Sequence, residues 1–212
     1  LKEITMTVLT QRFTEAIDYA RIAHAAQFRK GTRIPYLYHL LGVASLVLEY
    51  GGNEDQAIAG LLHDVLEDCG EEHAATIRAQ FGDAVGAIVE ACTDGTVEGK
   101  AQAESGGTAL DHWRERKLRY LAHLGAESDE ALLVSGCDKL HNARAILGDL
   151  EDPAVGVTVF ERFTAKREGT LRYYQSLAEI LTARNAPMAR IFDGSVARIH
   201  QLAGATQRTP LS

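Results

Sequence analysis

Apolar side chains recur at three- and four-residue intervals along almost the whole chain, the spacing that puts one face of a helix into a core. In TEAIDYARIAHAAQF, the positions Ala16, Ile17, Ala20, Ala23, Ala26 and Gln27/Phe28 follow this rule, with Thr10 or Thr14 as N-cap, and Gly31 to Pro35 break the helix. HLLGVASLVLEY predicts a second helix, ended by Gly51-Gly52. Asn53 then caps a third, strongly apolar helix through AIAGLLHDVLEDCG to Gly70, with Glu54 and Asp55 where the helix dipole favours negative charge. Further helices are predicted over Glu72 to Phe81, Asp83 to Cys92, His112 to Leu124, Ser128 to Leu147, Phe163 to Thr182 and Met188 to Leu202.

Strand patterning is almost absent. The β-branched run VGVTVF (Val155 to Phe160) follows Asp152-Pro153 and reads as a linking loop or a helix start. The long irregular segment Asp94 to Thr108, rich in glycine and small residues, reads as a surface excursion, with a lid as its functional alternative. The expected fold class is all-α and single-domain: residues 10–204 form the domain, 1–9 an N-terminal extension and 205–212 a C-terminal tail.

Composition narrows the function. The 212 residues suit one domain with a full core, and 46% apolar with 24% charged residues is ordinary for a globular protein. A formal net charge of −7 argues against nucleic acid bound through a broad basic surface, but leaves room for a small phosphorylated ligand held by a local positive group or a metal. No apolar run approaches the roughly 18 residues of a membrane span, and the first residues lack the order of a signal peptide. Cys69, Cys92 and Cys137 have no zinc-ligand spacing and suit a reducing cytoplasm.

One stretch breaks the core pattern. After Ala57 to Leu62 come His63 and Asp64, then Val65 and Leu66, then Glu67 and Asp68, so polar groups crowd the end of an apolar helix. Burying neighbouring carboxylates without partners costs several kcal/mol, and a divalent cation removes that cost. His39, among Leu37, Leu40, Leu41 and Val43, offers a second imidazole, and Asp138, within LLVSGCDKLHNARAIL, offers another carboxylate. Taken alone, His39 reads as a core histidine and Asp138 as an ion-pair partner of Lys139. Joined to HDVLED they read as ligands: two His and two Asp make a mononuclear nitrogen and oxygen site suited to Mn²⁺, Fe²⁺ or Co²⁺. His24, His73, His112, His123, His141 and His200 lack such companions and read as surface or incidental, and Cys137 as a small core residue.

The order His39, His63-Asp64, Asp138 resembles the HD superfamily of metal-dependent phosphohydrolases. More narrowly, AHAAQFRKGTRIPYLYHLLGVA, HDVLED and CDKLHNARAIL are similar to the hydrolase domain of the RelA/SpoT family and its stand-alone alarmone hydrolases, over roughly Phe13 to Leu147. The resemblance implies an HD-type helical bundle, and from the length of the chain no synthetase domain is expected to follow. It implies His39, His63, Asp64 and Asp138 as ligands of Mn²⁺, and Glu67 and Asp68 as the acidic pair that positions and activates water. Arg29 and Lys30 match residues that hold base and phosphates, and Asn142 matches a ribose-side contact. Arg144, Arg116 and Lys117 are expected to neutralise phosphate. The implied reaction removes pyrophosphate from the 3′ position of (p)ppGpp, the alarmone of the stringent response. The chain departs from the family pattern at Leu40, where proline is common, at Ala145, where a polar residue is common, and after Thr93-Asp94.

Two alternatives keep the same metal and water. One is a phosphatase acting on another nucleotide, such as a nucleoside monophosphate or NADPH. The other is a nucleotide-binding regulator without turnover, which the intact Glu67-Asp68 pair disfavours. The expected partner is a small phosphorylated nucleotide, with neither nucleic acid nor membrane, and an oligomer is compatible with this reading.

Overall fold

Short polar side chains that accept orphan N–H groups mark several helix starts. The computed structural model describes residues 6–93 and 108–212, so the first five residues of the expected extension and residues 94–107 of the long irregular segment, with its surface-excursion and lid readings, lie outside the described residues. The chain divides into two compact units, Leu1–Val97 and Glu98–Ser212. The first holds α1 (Gln11–Ala23), α2 (Leu37–Glu49), α3 (Glu54–Leu62), α4 (Val65–Asp68), α5 (His73–Phe81) and α6 (Asp83–Cys92). The second holds α7 (Ala109–Leu124), α8 (Asp129–Glu151), a 3-10 helix (Gly156–Arg162), α9 (Lys166–Ala183) and α10 (Ala189–Leu202). Among the described residues, β pairing is confined to a bridge between Phe28 and Pro35. None of their helices is long and apolar enough to cross a membrane. The all-α expectation holds.

In the first unit, Thr10 caps α1 through the Arg12 N–H, and Asn53 with Gln56 forms a reciprocal capping box on α3. Arg12 joins the two starts, reaching Glu54 Oε2 at 3.2 Å, Asp55 Oδ1 at 2.8 Å and the Phe81 carbonyl at 2.6 Å. Helices α2 and α3 pack closely where Gly60 meets Ala44: a methyl group on Gly60 would stand 3.3 Å from the Ala44 Cα. Leu40, Val43 and Val47 from α2 bury against a core that includes Ile58, Leu61 and Leu62 from α3, with Ile77, Phe81, Val85 and Val89 from α5 and α6.

Two features of the first unit differ from the sequence expectation. First, α1 stops at Ala23, and residues 27–36 fold into a hairpin-like loop. Its main chain pairs with itself, Arg29 N–H to the Ile34 carbonyl at 2.8 Å and Tyr36 N–H to the Gln27 carbonyl at 2.9 Å, which withdraws those groups from helical bonding. Second, the expected third helix is interrupted between α3 and α4 at His63 and Asp64. Asp64 has φ −94° and ψ −4°, in the bridge region between helix and extended backbone.

In the second unit, a capping box between Thr108 and Asp111 starts α7 three residues ahead of the expected His112, and Ser128 caps α8 through Ala131. VGVTVF lies largely within the 3-10 helix, and α8 extends to Glu151. Leu124, Val134, Leu140, Phe160, Leu177, Leu181, Phe192 and Val196 are buried in this unit.

Candidate metal centre

His39 stands in the first turn of α2 and His63 at the break after α3, and both side chains are buried. Their Nε2 atoms face the same oxygen, Asp64 Oδ2, at 3.6 and 3.0 Å. His63 Nδ1 lies 2.9 Å from the Gly60 carbonyl, which can only accept, so Nδ1 carries a proton and Nε2 is the nitrogen whose lone pair is available when the ring is neutral. A lone pair set 3.0 Å from a carboxylate oxygen is repulsive unless a cation or proton lies between them. The ligand atoms of His39, His63 and Asp64 lie within 4.8 Å of one another. Donors about 2.0–2.2 Å from a shared ion stand roughly 3.0–3.5 Å apart, so this nitrogen and oxygen set, buried at both histidines and half-buried at Asp64, is compatible with a divalent transition ion.

The loop between α1 and α2 supports the trio from outside. The Tyr36 hydroxyl donates to Asp64 Oδ2 at 2.6 Å. Its ring stacks on His24 at 5.1 Å between centroids and meets the His39 ring edge-on at 5.5 Å. His24 Nδ1 lies 2.6 Å from Gln27 Oε1, and Gln27 Nε2 donates to Asp68 Oδ2 at 2.7 Å. Glu67 and Asp68 share α4, Glu67 half-buried and Asp68 exposed. The Cys69 thiol beside them is pushed up to about 11 by burial and then by the carboxylates of Asp68, Asp64 and Glu72, which registers the negative field of this turn.

Asp138 is buried on α8, within the second unit. Lys139 Nζ donates to Asp138 Oδ2 at 2.6 Å, and Asn142 Nδ2 donates to Asp138 Oδ1 at 2.6 Å. Burial opposes the Lys139 charge, but Asp138, Tyr120 and Tyr173 outweigh it and lift its pKa well above the ordinary lysine value. The same ammonium lies 4.7 Å from the centre of the Tyr120 ring.

The expected substrate contacts are distributed over both units. Arg29 is half-buried with its guanidinium 5.8 Å from the centre of the Tyr36 ring, and Lys30 beside it is exposed. On α7, Arg116 and Lys117 are half-buried, with Lys117 Nζ 5.1 Å from the Tyr173 ring and 5.6 Å from the Tyr120 ring. Arg144 is exposed on α8.

Three histidines read as surface or incidental are buried: His24, His141 and His200. His24 is the one whose neighbours matter here. Its partner is a neutral amide three residues on, so a search for carboxylate companions passes over it; the spacing His24-x-x-Gln27 on a helix end is the signal that could have found it. Cys137 is fully buried, as expected of a core residue.

Comparison with known proteins extends this picture. The HD domain family model matches residues 16–171. The guanosine-3′,5′-bis(diphosphate) 3′-pyrophosphohydrolase MESH1 of Xenopus tropicalis is 36% identical over 133 residues, which is 61% of this chain and 66% of that protein. A probable guanosine-3′,5′-bis(diphosphate) 3′-pyrophosphohydrolase of Synechocystis is 32% identical over 131 residues, 62% of this chain and 16% of that protein. The chain thus spans only part of the relatives it matches, and a small part of the Synechocystis one. Among solved structures, a Listeria monocytogenes protein is similar with TM-score 0.60 and 26% identity, over 80% of this chain and 96% of that one. A metazoan ortholog of SpoT, described as hydrolyzing ppGpp, shares the fold with TM-score 0.68 at 23% identity, over 94% of this chain and 99% of that one.

Proposed function

The chain belongs to the HD domain family, and on that premise we propose that it is a metal-dependent (p)ppGpp 3′-pyrophosphohydrolase acting through His39, His63, Asp64 and Asp138. The observation that carries this reading is the convergence of the His39 and His63 Nε2 atoms on Asp64 Oδ2, one turn ahead of Glu67 and Asp68. Asp138 completes the ligand set as the fourth donor, and manganese is the ion we assign. The family model runs across both compact units, which supports one HD-type domain over residues 10–204. The sparse cysteine count, three in the chain and without zinc-ligand spacing, supports a cytoplasmic setting.

When bound, the ion polarises a phosphoryl oxygen and makes water more acidic. The chain's own residues do the rest. His63, held by the Gly60 carbonyl, and Asp64, held by the Tyr36 hydroxyl, keep fixed donor directions. Glu67 and Asp68 orient the attacking water, and one of them takes its proton. Water attacks the phosphorus bonded to the ribose 3′ oxygen, the phosphorus–oxygen bond breaks, and the leaving 3′ oxygen takes up a proton from solvent to become the hydroxyl of GDP or GTP, with pyrophosphate as the other product. Arg29 and Lys30 hold base and phosphates, Asn142 reaches the ribose side, and Arg116, Lys117 and Arg144 offset the charge of the pyrophosphate group.

The test is a screen of phosphorylated nucleotides with Mn²⁺, following pyrophosphate and phosphate release separately. Pyrophosphate released from ppGpp, and abolished by chelation, supports the proposal. Phosphate released from a nucleoside monophosphate or NADPH, with ppGpp inert, replaces the substrate and keeps the site. Binding of ppGpp without turnover makes the protein a nucleotide-binding regulator.

A further inference from the structure

We propose that Gln27 is a positioning residue for Asp68, itself oriented by His24, so that the loop between α1 and α2 aims the carboxylate that receives the proton from water. This rests on the reading of Asp68 as a proton acceptor. The hydrogen-bond sense along the relay follows from donor chemistry. Gln27 Nε2 is the only kind of amide atom that can donate to a carboxylate, and it lies 2.7 Å from Asp68 Oδ2. The Gln27 Oε1 must then accept, and His24 Nδ1 at 2.6 Å supplies the proton. The amide is therefore held in one of its two flips by a buried imidazole, whose ring is clamped against Tyr36 at 5.1 Å and 27°.

A purely structural role for the Gln27 side chain is a poor account of this arrangement. The loop is already closed by main-chain bonds from Arg29 to Ile34 and from Tyr36 to Gln27, and neither uses that side chain. Asp68 is exposed, where an amide–carboxylate bond contributes little to stability. What the bond does determine is the plane of the Asp68 carboxylate, because one oxygen is anchored from outside α4. The second arm of the same loop, Tyr36, anchors Asp64. The relay and that bond share the stacked pair His24 and Tyr36, so a single loop sets a proposed ligand and the proposed proton acceptor in register.

The test pairs Gln27→Met, which keeps length and removes the amide, with Asp68→Ala in a double-mutant cycle on ppGpp with Mn²⁺. Manganese content, melting temperature and a metal-free crystal structure of Gln27→Met are the accompanying measurements. The expected result is a fall in kcat of about 10- to 100-fold with KM and manganese content unchanged. The melting temperature should fall by no more than about 4 °C. In the Asp68→Ala background the same substitution should have no further effect on kcat, and the crystal structure should show the Asp68 carboxylate turned from its native plane. Native kcat in Gln27→Met, an undiminished loss in the Asp68→Ala background, or an unmoved Asp68 carboxylate would each overturn the proposal while leaving the proposed function intact. Native kcat in Asp68→Ala would overturn the proposal and leave Glu67 as the proton acceptor, whereas no pyrophosphate release from ppGpp by the native protein would overturn the proposed function itself.

Discussion

Tyr36 touches two proposed ligands at once: its hydroxyl donates to Asp64 Oδ2 at 2.6 Å, and its ring meets the His39 ring edge-on at 5.5 Å. Tyr36→Phe separates these contacts, because it keeps the ring and removes the hydroxyl. Manganese affinity should weaken about 10- to 100-fold, the usual effect of losing a partner that orients a ligand. Calorimetric titration with Mn²⁺ measures it, and native affinity would mean that the histidines alone orient Asp64.

Glu67 and Asp68 are assigned to water and not to the ion. Glu67→Ala and Asp68→Ala should each lose about 10²–10⁴-fold in turnover with metal retained, the range for removal of a general base. Asp64→Asn should instead lose the metal. Elemental analysis beside a rate assay distinguishes the two classes. Near-native rates in both alanine variants would make the pair structural.

Arg29→Ala should raise KM for ppGpp with manganese content unchanged, as lost substrate binding requires. Asn142→Ala was expected from the sequence to behave identically. The geometry changes that expectation, because Asn142 Nδ2 donates to Asp138 Oδ1 at 2.6 Å. The higher KM should therefore come with weaker manganese binding. A metal titration showing native affinity would remove Asp138 from the ligand set or Asn142 from its support.

Glu127 offers a stability test away from the metal. Burial raises its carboxyl pKa above the ordinary glutamate value, and His123, Ser135, Lys139 and Arg184 only partly oppose this. The folded state therefore holds the proton more tightly than the unfolded chain. The resulting stabilisation is present below the ordinary glutamate pKa and is lost as pH rises through the higher folded value. Glu127→Gln should accordingly raise the melting temperature at neutral pH and give no gain under acid conditions. Equal gains at both would place the effect in packing.

Most of the helices were legible because their caps and periodicity are local. Asn53, Ser128 and Thr10 announce helix starts through their own side chains, and α6 occupies the expected residues Asp83–Cys92. Thr108 was overlooked as a cap, so α7 was expected to start three residues late. The break at His63 and Asp64 was not legible, since every residue around it tolerates helix and the interruption is a matter of backbone angles. His39, His63 and Asp64 were found because polar groups in an apolar setting stand out, and the structure brings these three together. The roles of His24, Gln27 and Tyr36 were hidden: their partners lie 41 residues away at Asp68 and 28 away at Asp64, in pairings that leave no periodic trace. Lys139 was read only as a possible ion-pair partner, and its burial against Tyr120 depends on a fold that the dipeptide does not encode.

Gly60 gives the centre a property that its donor atoms alone do not supply. One residue sets both the gap between two helices, through its approach to Ala44, and the pitch of an imidazole, through its carbonyl. His39 stands on α2 and His63 at the end of α3, and a methyl group at position 60, 3.3 Å from the Ala44 Cα, would require α2 or α3 to give by a few tenths of an ångström. Divalent ions differ in bond length on the same scale. On the proposed ligand set the glycine would act as a calliper: the choice among ions of different radius would follow from the packing of α2 on α3, at a residue that supplies no donor atom.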